Sequence, residues 1–282
     1  MVNSNRLFQE ARRMSWKELL TRPGPCDHLV QFYGDERALA ENVALYLREG
    51  AERGDGMIVI ATPSHRKMFT ELLARGGVDA DELVQKGRLL FFDAEKTLAG
   101  FMDQGEPDWQ RFDEVVGSVV RDLRSRMAGA HLRAYGEMVD LLWKAGKLSA
   151  ATTLETFWNR LLEEYRFGLF CAYTVDLLHQ EVPVSAVQEM MTTHSHLLPV
   201  RSNGELDRAV SRAMLDVLGE ETVTAIMPLI RANAVSGVSL PEAERTVIWL
   251  RKNVPPFAAD VLFRARGYYE EECARMGGKG RA

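Results

Sequence analysis

Short apolar runs alternate with amphipathic segments along the first two thirds of the chain. The runs predict strands at about 28–33, 57–61, 88–92, 131–135 and 169–173. Between them, apolar residues recur at helical spacing, which predicts helices at about 36–53, 64–75, 109–127, 137–145 and 149–165. Continuously apolar strands that alternate with helices are typical of a mostly parallel sheet covered on both faces. The predicted fold class is therefore α/β.

The pattern changes after about residue 200, where only helical spacing is found. Ser239 and Glu242 match a capping box at the start of one helix, and Pro255 and Pro256 separate it from the last one. We predict four parts: an N-terminal helical extension (1–25), an α/β domain (26–199), a small all-helical C-terminal domain (200–276) and a disordered tail (277–282).

Composition and charge narrow the class of protein. The chain has 282 residues, 46% of them hydrophobic, and a net charge of −5, which argues against a strongly basic nucleic-acid binder. Its three cysteines are far apart and form no CxxC motif, which argues against a zinc site or a disulfide framework. We find neither the apolar core of a signal peptide nor a run long enough to span a membrane. The sequence therefore predicts a cytoplasmic protein that makes no membrane contact.

The loop after the second predicted strand is the first position to test for phosphate binding. A phosphate-binding loop needs glycines, free backbone amides and a lysine. This loop reads Thr62-Pro63-Ser64-His65-Arg66, so it has no glycine and Pro63 removes one amide donor. We predict a degenerate phosphate loop, in which Thr62 or Ser64 caps the next helix and Pro63 occupies its first turn.

Candidate ligand-binding side chains lie near the ends of the predicted strands. Glu137 follows the fourth strand, where it is either a general base or ligand contact, or a carboxylate that stabilises a helix start. His28 and Tyr33 bracket the first strand, and Trp143 is a candidate pocket wall. We expect alanine at His28 or Glu137 to remove a ligand response with little change in melting temperature.

The sequence gives little support for a metal site, a nucleophilic serine or a reactive cysteine. The histidines form no HExxH motif, and on a helix His194 and His196 would face apart, so we predict no metal site. No G-x-S-x-G motif is present, and Cys171 lies within an apolar strand, where it is expected to be a core residue. The sequence identifies no cofactor and no catalytic residue.

Five ordered motifs resemble those of the MEDS domain, the sensory domain named from methanogens and methylotrophs. They are His28-Leu-Val-Gln-Phe-Tyr33, Ile58-Val-Ile-Ala-Thr-Pro63, Arg133-Ala-Tyr-Gly-Glu-Met138, Leu169-Phe-Cys-Ala-Tyr173 and His194-Ser-His-Leu-Leu-Pro199. The resemblance covers about 26–199 and implies a RecA-like ATPase core with decayed phosphate-binding motifs. It also implies sensing of small molecules, with His28 and Glu137 at the positions of the family's histidine and glutamate. The C-terminal region resembles neither a kinase core nor a helix-turn-helix.

The favoured hypothesis is a non-enzymatic signalling protein. Its α/β domain would bind a small molecule or a signalling protein, and its helical tail would serve as output or dimerisation element. One alternative is a DNA-binding transcriptional regulator that contacts phosphates through C-terminal cations, namely Arg245, Arg251, Lys252, Arg264 and Arg266. Another is a divergent nucleotide-dependent enzyme with Glu137 as its base. Homodimerisation through the helical tail is a further expectation.

Overall fold

The structure is a computed structural model that describes residues 15–127, 129–179, 184–199, 204–232 and 240–278. The strands are β1 (His28–Tyr33), β2 (Gly56–Ala61), β3 (Leu89–Asp93), β4 (Met102–Asp103), β5 (Glu106–Pro107), β6 (Leu132–Gly136), β7 (Gly168–Thr174) and β8 (His196–Leu198). The helices before β8 are α1 (Trp16–Thr21), α2 (Glu36–Arg53), α3 (Pro63–Arg75), α4 (Ala80–Gln85), α5 (Ala94–Phe101), α6 (Trp109–Phe112), α7 (Ser118–Arg126), α8 (Met138–Lys144), α9 (Leu148–Tyr165) and α10 (Val184–Thr192). The helices after β8 are α11 (Glu205–Leu218), α12 (Glu220–Ala232), α13 (Glu242–Asn253) and α14 (Pro255–Gly278).

Six strands form one parallel sheet in the order β3-β2-β6-β7-β1-β8, while β4 and β5 form a separate antiparallel pair. Every position of β1, β2 and β6 is buried, as expected for strands covered on both faces. The α/β fold class and the five predicted strands are confirmed.

The two faces of the sheet carry separate hydrophobic cores. Side chains alternate along β1, so that Leu29 and Tyr33 pack on one face and Val30 and Phe32 on the other. The first face is covered by α1, α2, α3 and α4. The second is covered by the helices from α5 onward, which include α9, α10 and the C-terminal helices.

Side-chain caps define the starts of several helices. The Asp35 carboxylate accepts the amide of Arg37 at the start of α2, at 2.9 Å. The Asp93 carboxylate accepts the amide of Lys96 at the start of α5, also at 2.9 Å. At the other end of α2, Gly54 adopts a left-handed conformation with φ 82°, which glycine allows at little cost.

Some boundaries differ from the sequence predictions. The helix expected over 109–127 contains a π-helical turn at Asp113–Gly117. The sixth strand of the parallel sheet, β8, was not predicted, because three residues are too short to give an alternating pattern. The predicted N-terminal helix is described only from Trp16, since residues 1–14 lie outside the described chain.

The predicted capping box at the start of α13 is also revised. Ser239 lies outside the described residues, and Pro241 occupies the N-cap position without a side-chain cap. Glu242 is therefore the first helical residue and not the third, so it is not placed to complete a capping box.

The C-terminal region is helical over 204–232 and 240–278 and packs directly onto the α/β body. Leu206, Val247 and Leu262 belong to the same core as Val187 of α10 and Leu197 of β8. No helix in the described parts of the chain has the length and apolar character required to cross a bilayer.

Candidate functional site

At the carboxyl edge of the sheet, Glu137 follows β6 and turns its side chain toward the loop after β2. Its Oε1 accepts the backbone amide of Thr62 in a short hydrogen bond. Its Oε2 lies 2.5 Å from Nδ1 of His65 and accepts the hydroxyl of Tyr135 at 3.0 Å. Three donors therefore converge on one buried carboxylate.

Charge pairing stabilises this edge cluster of Glu137, His65, Tyr135 and Thr62. Burial alone would lower the pKa of His65, but the hydrogen bond and charge of Glu137 raise it overall. Burial alone would raise the pKa of Glu137, but His65 and the Thr62 amide lower it overall. Both shifts favour an imidazolium–carboxylate pair. Nε2 of His65 is buried and finds no hydrogen-bond partner among the described residues.

The predicted phosphate-loop position is occupied by these contacts. Thr62 is the N-cap of α3 and Pro63 lies in its first turn, as predicted. The hydroxyls of Thr62 and Ser64 lie 3.2 Å apart, and the Arg66 guanidinium stacks 4.5 Å from the centre of the Phe91 ring. The Glu137 carboxylate lies beside this helix N-terminus, where it accepts the Thr62 amide.

A second carboxylate, Asp140 of α8, joins the ends of β1 and β7. It accepts the Tyr33 hydroxyl at 2.9 Å, the Thr174 amide at 2.6 Å and the Thr174 hydroxyl at 3.0 Å. Lys144 also contacts it at 2.9 Å. Burial and the charge of Asp140 raise the pKa of Tyr33, so its hydroxyl stays protonated and donates. The indole of Trp143 donates to the Thr174 carbonyl at 3.2 Å and packs on Tyr173.

Directly beyond these strand ends lies a crevice of about 190 Å³. One wall is Gly34 and Asp35, which follow β1, and a second is the segment 175–178, which follows β7. The third wall comes from the C-terminal helices: Leu206 of α11 and Arg266, Tyr269 and Glu270 of α14. The crevice thus lies between the sheet edge and the C-terminal region.

On the face of the sheet covered by α9 and α10, four buried side chains from distant parts of the sequence converge. They are His28 of β1, Glu155 of α9, Cys171 of β7 and His194, which precedes β8; we call them the buried tetrad. His28 Nε2 lies 3.3 Å from Glu155 Oε2 and 3.4 Å from Cys171 Sγ. His194 Nε2 lies 3.2 Å from Glu155 Oε1, and the Tyr173 hydroxyl donates to the same oxygen at 2.6 Å.

The electrostatics of the buried tetrad differ from those of the edge cluster. Burial and the charge of His194 lower the pKa of His28. Burial alone would raise the pKa of Glu155, but His194 and His28 lower it overall. Burial and Glu155 together raise the pKa of Cys171 well above its ordinary value. Among the described residues, the buried tetrad is a group whose residue types could hold a metal ion.

The structure separates the four predicted ligand-binding residues into two groups. Tyr33, Glu137 and Trp143 lie at the carboxyl edge of the sheet, and none of the three lines the crevice. His28 begins β1, roughly 17 Å from Tyr33 for an extended strand, and belongs to the buried tetrad. His28 and Glu137 are both held in hydrogen-bond networks, so we no longer expect their replacement by alanine to leave the melting temperature unchanged.

Sequence reasoning missed Asp140, Glu155 and His194 as site residues. Glu155 offered one usable signal, because it occupies a buried position within the apolar face of an amphipathic helix. His194 and His196 do not share a helix: His194 precedes β8, while His196 begins it and lies 3.7 Å from Asp27.

Comparison with protein families places residues 27–195 in the family described as "MEDS: MEthanogen/methylotroph, DcmR Sensory domain". The match covers more than half of the chain, so this protein belongs to the MEDS family, as the sequence motifs predicted. The family description indicates a sensory role. A search of curated protein sequences found no match.

Proposed function

We propose that this protein is a non-enzymatic regulator that binds a small molecule in the crevice at the ends of β1 and β7. Its C-terminal helices then respond to the bound ligand and pass the signal on as the output of the protein. The observation that carries the proposal is the composition of the crevice walls: two come from the sheet edge and the third from α11 and α14. A ligand placed there contacts both parts of the chain.

The position of the crevice fits the topology of the sheet. After β1 the chain continues through α2 toward β2, and after β7 it continues through α10 toward β8. The helices α2 and α10 lie on opposite faces of the sheet. The neighbouring strands β7 and β1 therefore form a topological switch point, the position at which open α/β sheets bind ligands.

The crevice lining indicates the chemistry of the ligand. Val175, Leu177, Leu178 and Leu206 supply apolar surface, while Asp176 and Arg266 supply charge at the rim. Such a lining suits a small, mainly apolar molecule that carries one polar group. A hydrocarbon derivative, which the family resemblance implies, has this character.

Direct polar contacts couple the crevice loop to the C-terminal helices. The Arg251 guanidinium of α13 donates to the carbonyl oxygens of Leu177, at 2.7 Å, and of His179. Arg266 of α14 forms an ion pair with Asp176. A ligand that shifts the segment 175–178 would therefore shift contacts with both helices.

The edge cluster supports binding over catalysis. A general base needs a free acceptor that faces the substrate, whereas the Glu137 carboxylate already accepts from Thr62, His65 and Tyr135. These contacts support a structural role for Glu137 and a protein that does not turn over nucleotide.

A signalling output through protein contacts is favoured over DNA binding. Of the cations proposed to contact phosphates, Arg251 and Arg266 are engaged by the crevice loop, and Arg245 donates to the Leu240 carbonyl at 2.9 Å. Large apolar side chains are exposed on the C-terminal helices instead, including Leu215, Leu229, Phe257 and Phe263. We propose that some of these exposed side chains contact a second copy of the chain or a protein partner. Light scattering of the full chain and of Phe263→Ser tests the homodimer.

A crevice-filling variant tests the ligand site. Gly34 is exposed, and a Cβ added to it would lie 4.0 Å from the Cβ of Asp176, so Gly34→Leu projects toward the crevice without a backbone clash. The control is Gly267→Leu on α14, where an added Cβ meets no atom within 4 Å. We screen small alcohols, aldehydes, carboxylates and halogenated alkanes by thermal shift, and follow hydrogen exchange of α11 and α14.

The proposal expects a compound that stabilises the wild type and Gly267→Leu by about 2.7 kcal/mol at one hundred times its dissociation constant. The same compound should not stabilise Gly34→Leu, and it should slow amide exchange in α14. A compound that stabilises Gly34→Leu equally would place the site elsewhere. Unchanged exchange in α11 and α14 would show that the helices do not transmit occupancy.

A further inference from the structure

We propose that the buried tetrad of His28, Glu155, Cys171 and His194 is a binding site for a divalent transition metal, with Zn²⁺ as the best fit. The site is separate from the ligand crevice and does not depend on the proposed sensory mechanism. It joins four elements that are distant in sequence: β1, α9, β7 and the turn before β8.

The spacing of the ligand atoms matches a tetrahedral centre. The four candidate ligand atoms all lie within 4.8 Å of one another. Zinc bonds of about 2.0–2.3 Å at tetrahedral angles place neighbouring ligand atoms about 3.3–3.8 Å apart. Around Glu155 Oε2, the distances are 3.3 Å to His28 Nε2 and 3.7 Å to Cys171 Sγ, and His28 Nε2 lies 3.4 Å from Cys171 Sγ. His194 Nε2 lies 3.2 Å from the other carboxylate oxygen, Glu155 Oε1.

The hydrogen bonds behind each imidazole direct its Nε2 lone pair into the cluster. His194 Nδ1 lies 2.7 Å from the carbonyl oxygen of Met190, which can only accept, so Nδ1 carries the proton. His28 Nδ1 lies 2.8 Å from Asn159 Oδ1 and 3.0 Å from the Thr193 carbonyl oxygen. The Asn159 amide nitrogen donates to the same carbonyl, which orients Oδ1 toward His28. Such outer contacts fix the tautomer of metal-binding histidines.

When each neutral imidazole carries its proton on Nδ1, its Nε2 is a hydrogen-bond acceptor, and the Glu155 oxygens nearby are acceptors too. Each Nε2 lies close to an oxygen of the Glu155 carboxylate, at 3.3 Å for His28 and 3.2 Å for His194, and Nε2 of His194 is buried without a hydrogen bond among the described residues. Facing acceptors in a buried site need a cation between them, because an unpaired buried polar group is costly. Either a proton on one ring or a metal ion supplies that charge.

Charge balance and donor type favour the metal. A divalent ion with the Glu155 carboxylate, a Cys171 thiolate and two neutral imidazoles has no net charge, which lowers the cost of burying these charged groups. Metal binding releases the thiol proton of Cys171 to solvent. Imidazole, thiolate and carboxylate are all ligands that Zn²⁺ binds, and this set is unlike the all-oxygen sites of Mg²⁺ and Ca²⁺.

Cobalt substitution of the full chain tests the site. The protein, freed of any affinity tag, is stripped with a chelator and titrated with Co²⁺. We expect one Co²⁺ per chain, intense tetrahedral d–d bands and a thiolate-to-cobalt charge-transfer band. Zn²⁺ should displace the Co²⁺ and abolish both features. Cys171→Ser should lose the charge-transfer band, and His194→Gln should bind at least 100-fold more weakly.

Matched controls separate the buried tetrad from incidental metal binding. Cys26→Ser and His196→Gln lie outside the tetrad and should keep the wild-type spectrum. If Cys171→Ser does not fold, X-ray absorption of the wild-type zinc protein replaces it, with one sulfur and three lighter ligands expected. A folded wild-type protein without the cobalt spectrum overturns the proposal. So does a charge-transfer band that persists in Cys171→Ser, or an absorption spectrum without sulfur.

Discussion

The edge cluster and the buried tetrad each pair a buried glutamate with histidine, yet their hydrogen bonding is opposite. At the edge, Glu137 accepts from a backbone amide, a tyrosine hydroxyl and one imidazole, so each of these three groups donates to the carboxylate. In the tetrad, Glu155 accepts from Tyr173 but also faces two Nε2 atoms whose rings donate elsewhere through Nδ1. A buried glutamate next to a histidine is therefore not enough to identify a metal site. The surplus of lone pairs distinguishes a metal site from a structural ion pair.

The largest loss of stability is expected when the pair of Glu137 and His65 is broken. Glu137→Ala leaves the buried His65 without its partner and should lower the free energy of unfolding by about 3–5 kcal/mol near pH 6. Urea denaturation measures the loss. The control, Glu163→Ala, removes an exposed carboxylate and should cost less than about 0.5 kcal/mol. A cost below about 1 kcal/mol for Glu137→Ala would show that the edge pair does not stabilise the fold.

The next largest effect separates the two clusters by metal dependence. With free Zn²⁺ at one hundred times its dissociation constant, the bound metal should stabilise the wild type by about 2.7 kcal/mol. Removing the metal should lower the free energy of unfolding by that amount. Glu137→Ala should lose the same increment, because the edge cluster binds no metal. His194→Gln, which binds at least 100-fold more weakly, should lose no more than about 0.4 kcal/mol at the same Zn²⁺ concentration. Calorimetry with and without a chelator measures this difference, and a wild type that is indifferent to chelation contradicts it.

A matched pair of tyrosines gives a finer comparison. Tyr135 donates to Glu137 at 3.0 Å, and Tyr173 donates to Glu155 at 2.6 Å. Replacing either with phenylalanine should cost about 1.5–3 kcal/mol, the range for hydrogen bonds to charged groups. Only Tyr173→Phe should also weaken zinc affinity, by about 10-fold, because it removes an outer contact of a metal ligand. Competition with a chelating dye reads the affinity, and equal affinities in the two variants would remove the distinction.

The smallest effect is the pH dependence of the edge pair, measured as the stability difference between the wild type and Glu137→Gln. Glu137 raises the pKa of His65 above 6.5. The stabilisation that comes from protonated His65 is therefore complete below pH 6.5 and is lost as the pH rises through the raised pKa. His65 lowers the pKa of Glu137 below 4.5, so that contribution is complete above pH 4.5 and is lost as the pH falls through the lowered value. The difference should therefore be largest between about pH 4.5 and 6.5. A difference that grows from pH 6.5 to 9 would contradict the assigned pairing.

Local signals in the sequence were sufficient for most of the sheet. Apolar runs such as 28–33 and 57–61 identify strands because both sides of each strand are buried. The Thr62-Pro63 start of α3 was predictable because capping is a contact between neighbouring residues. The strand β8 was missed because it has only three residues and depends on β1 for its hydrogen bonds.

The sites depend on contacts that no local pattern contains. His28 and Glu155 are 127 positions apart, and only the packing of α9 against β1 and β7 brings them together. Tyr33 and Glu137 lie at one edge of the sheet because parallel strands end together. Sequence position could not show that Asp140 and the C-terminal helices complete that edge. Those contacts are set by tertiary packing alone.

An anomalous difference map at the zinc absorption edge, from crystals grown with one equivalent of Zn²⁺, tests the contrast between the two clusters most directly. We predict a single strong peak within about 2.0–2.3 Å of His28 Nε2, Cys171 Sγ, His194 Nε2 and one oxygen of Glu155. No peak is expected beside Glu137 and His65. A peak at the edge cluster, or a buried tetrad without one in an otherwise ordered crystal, would contradict the account.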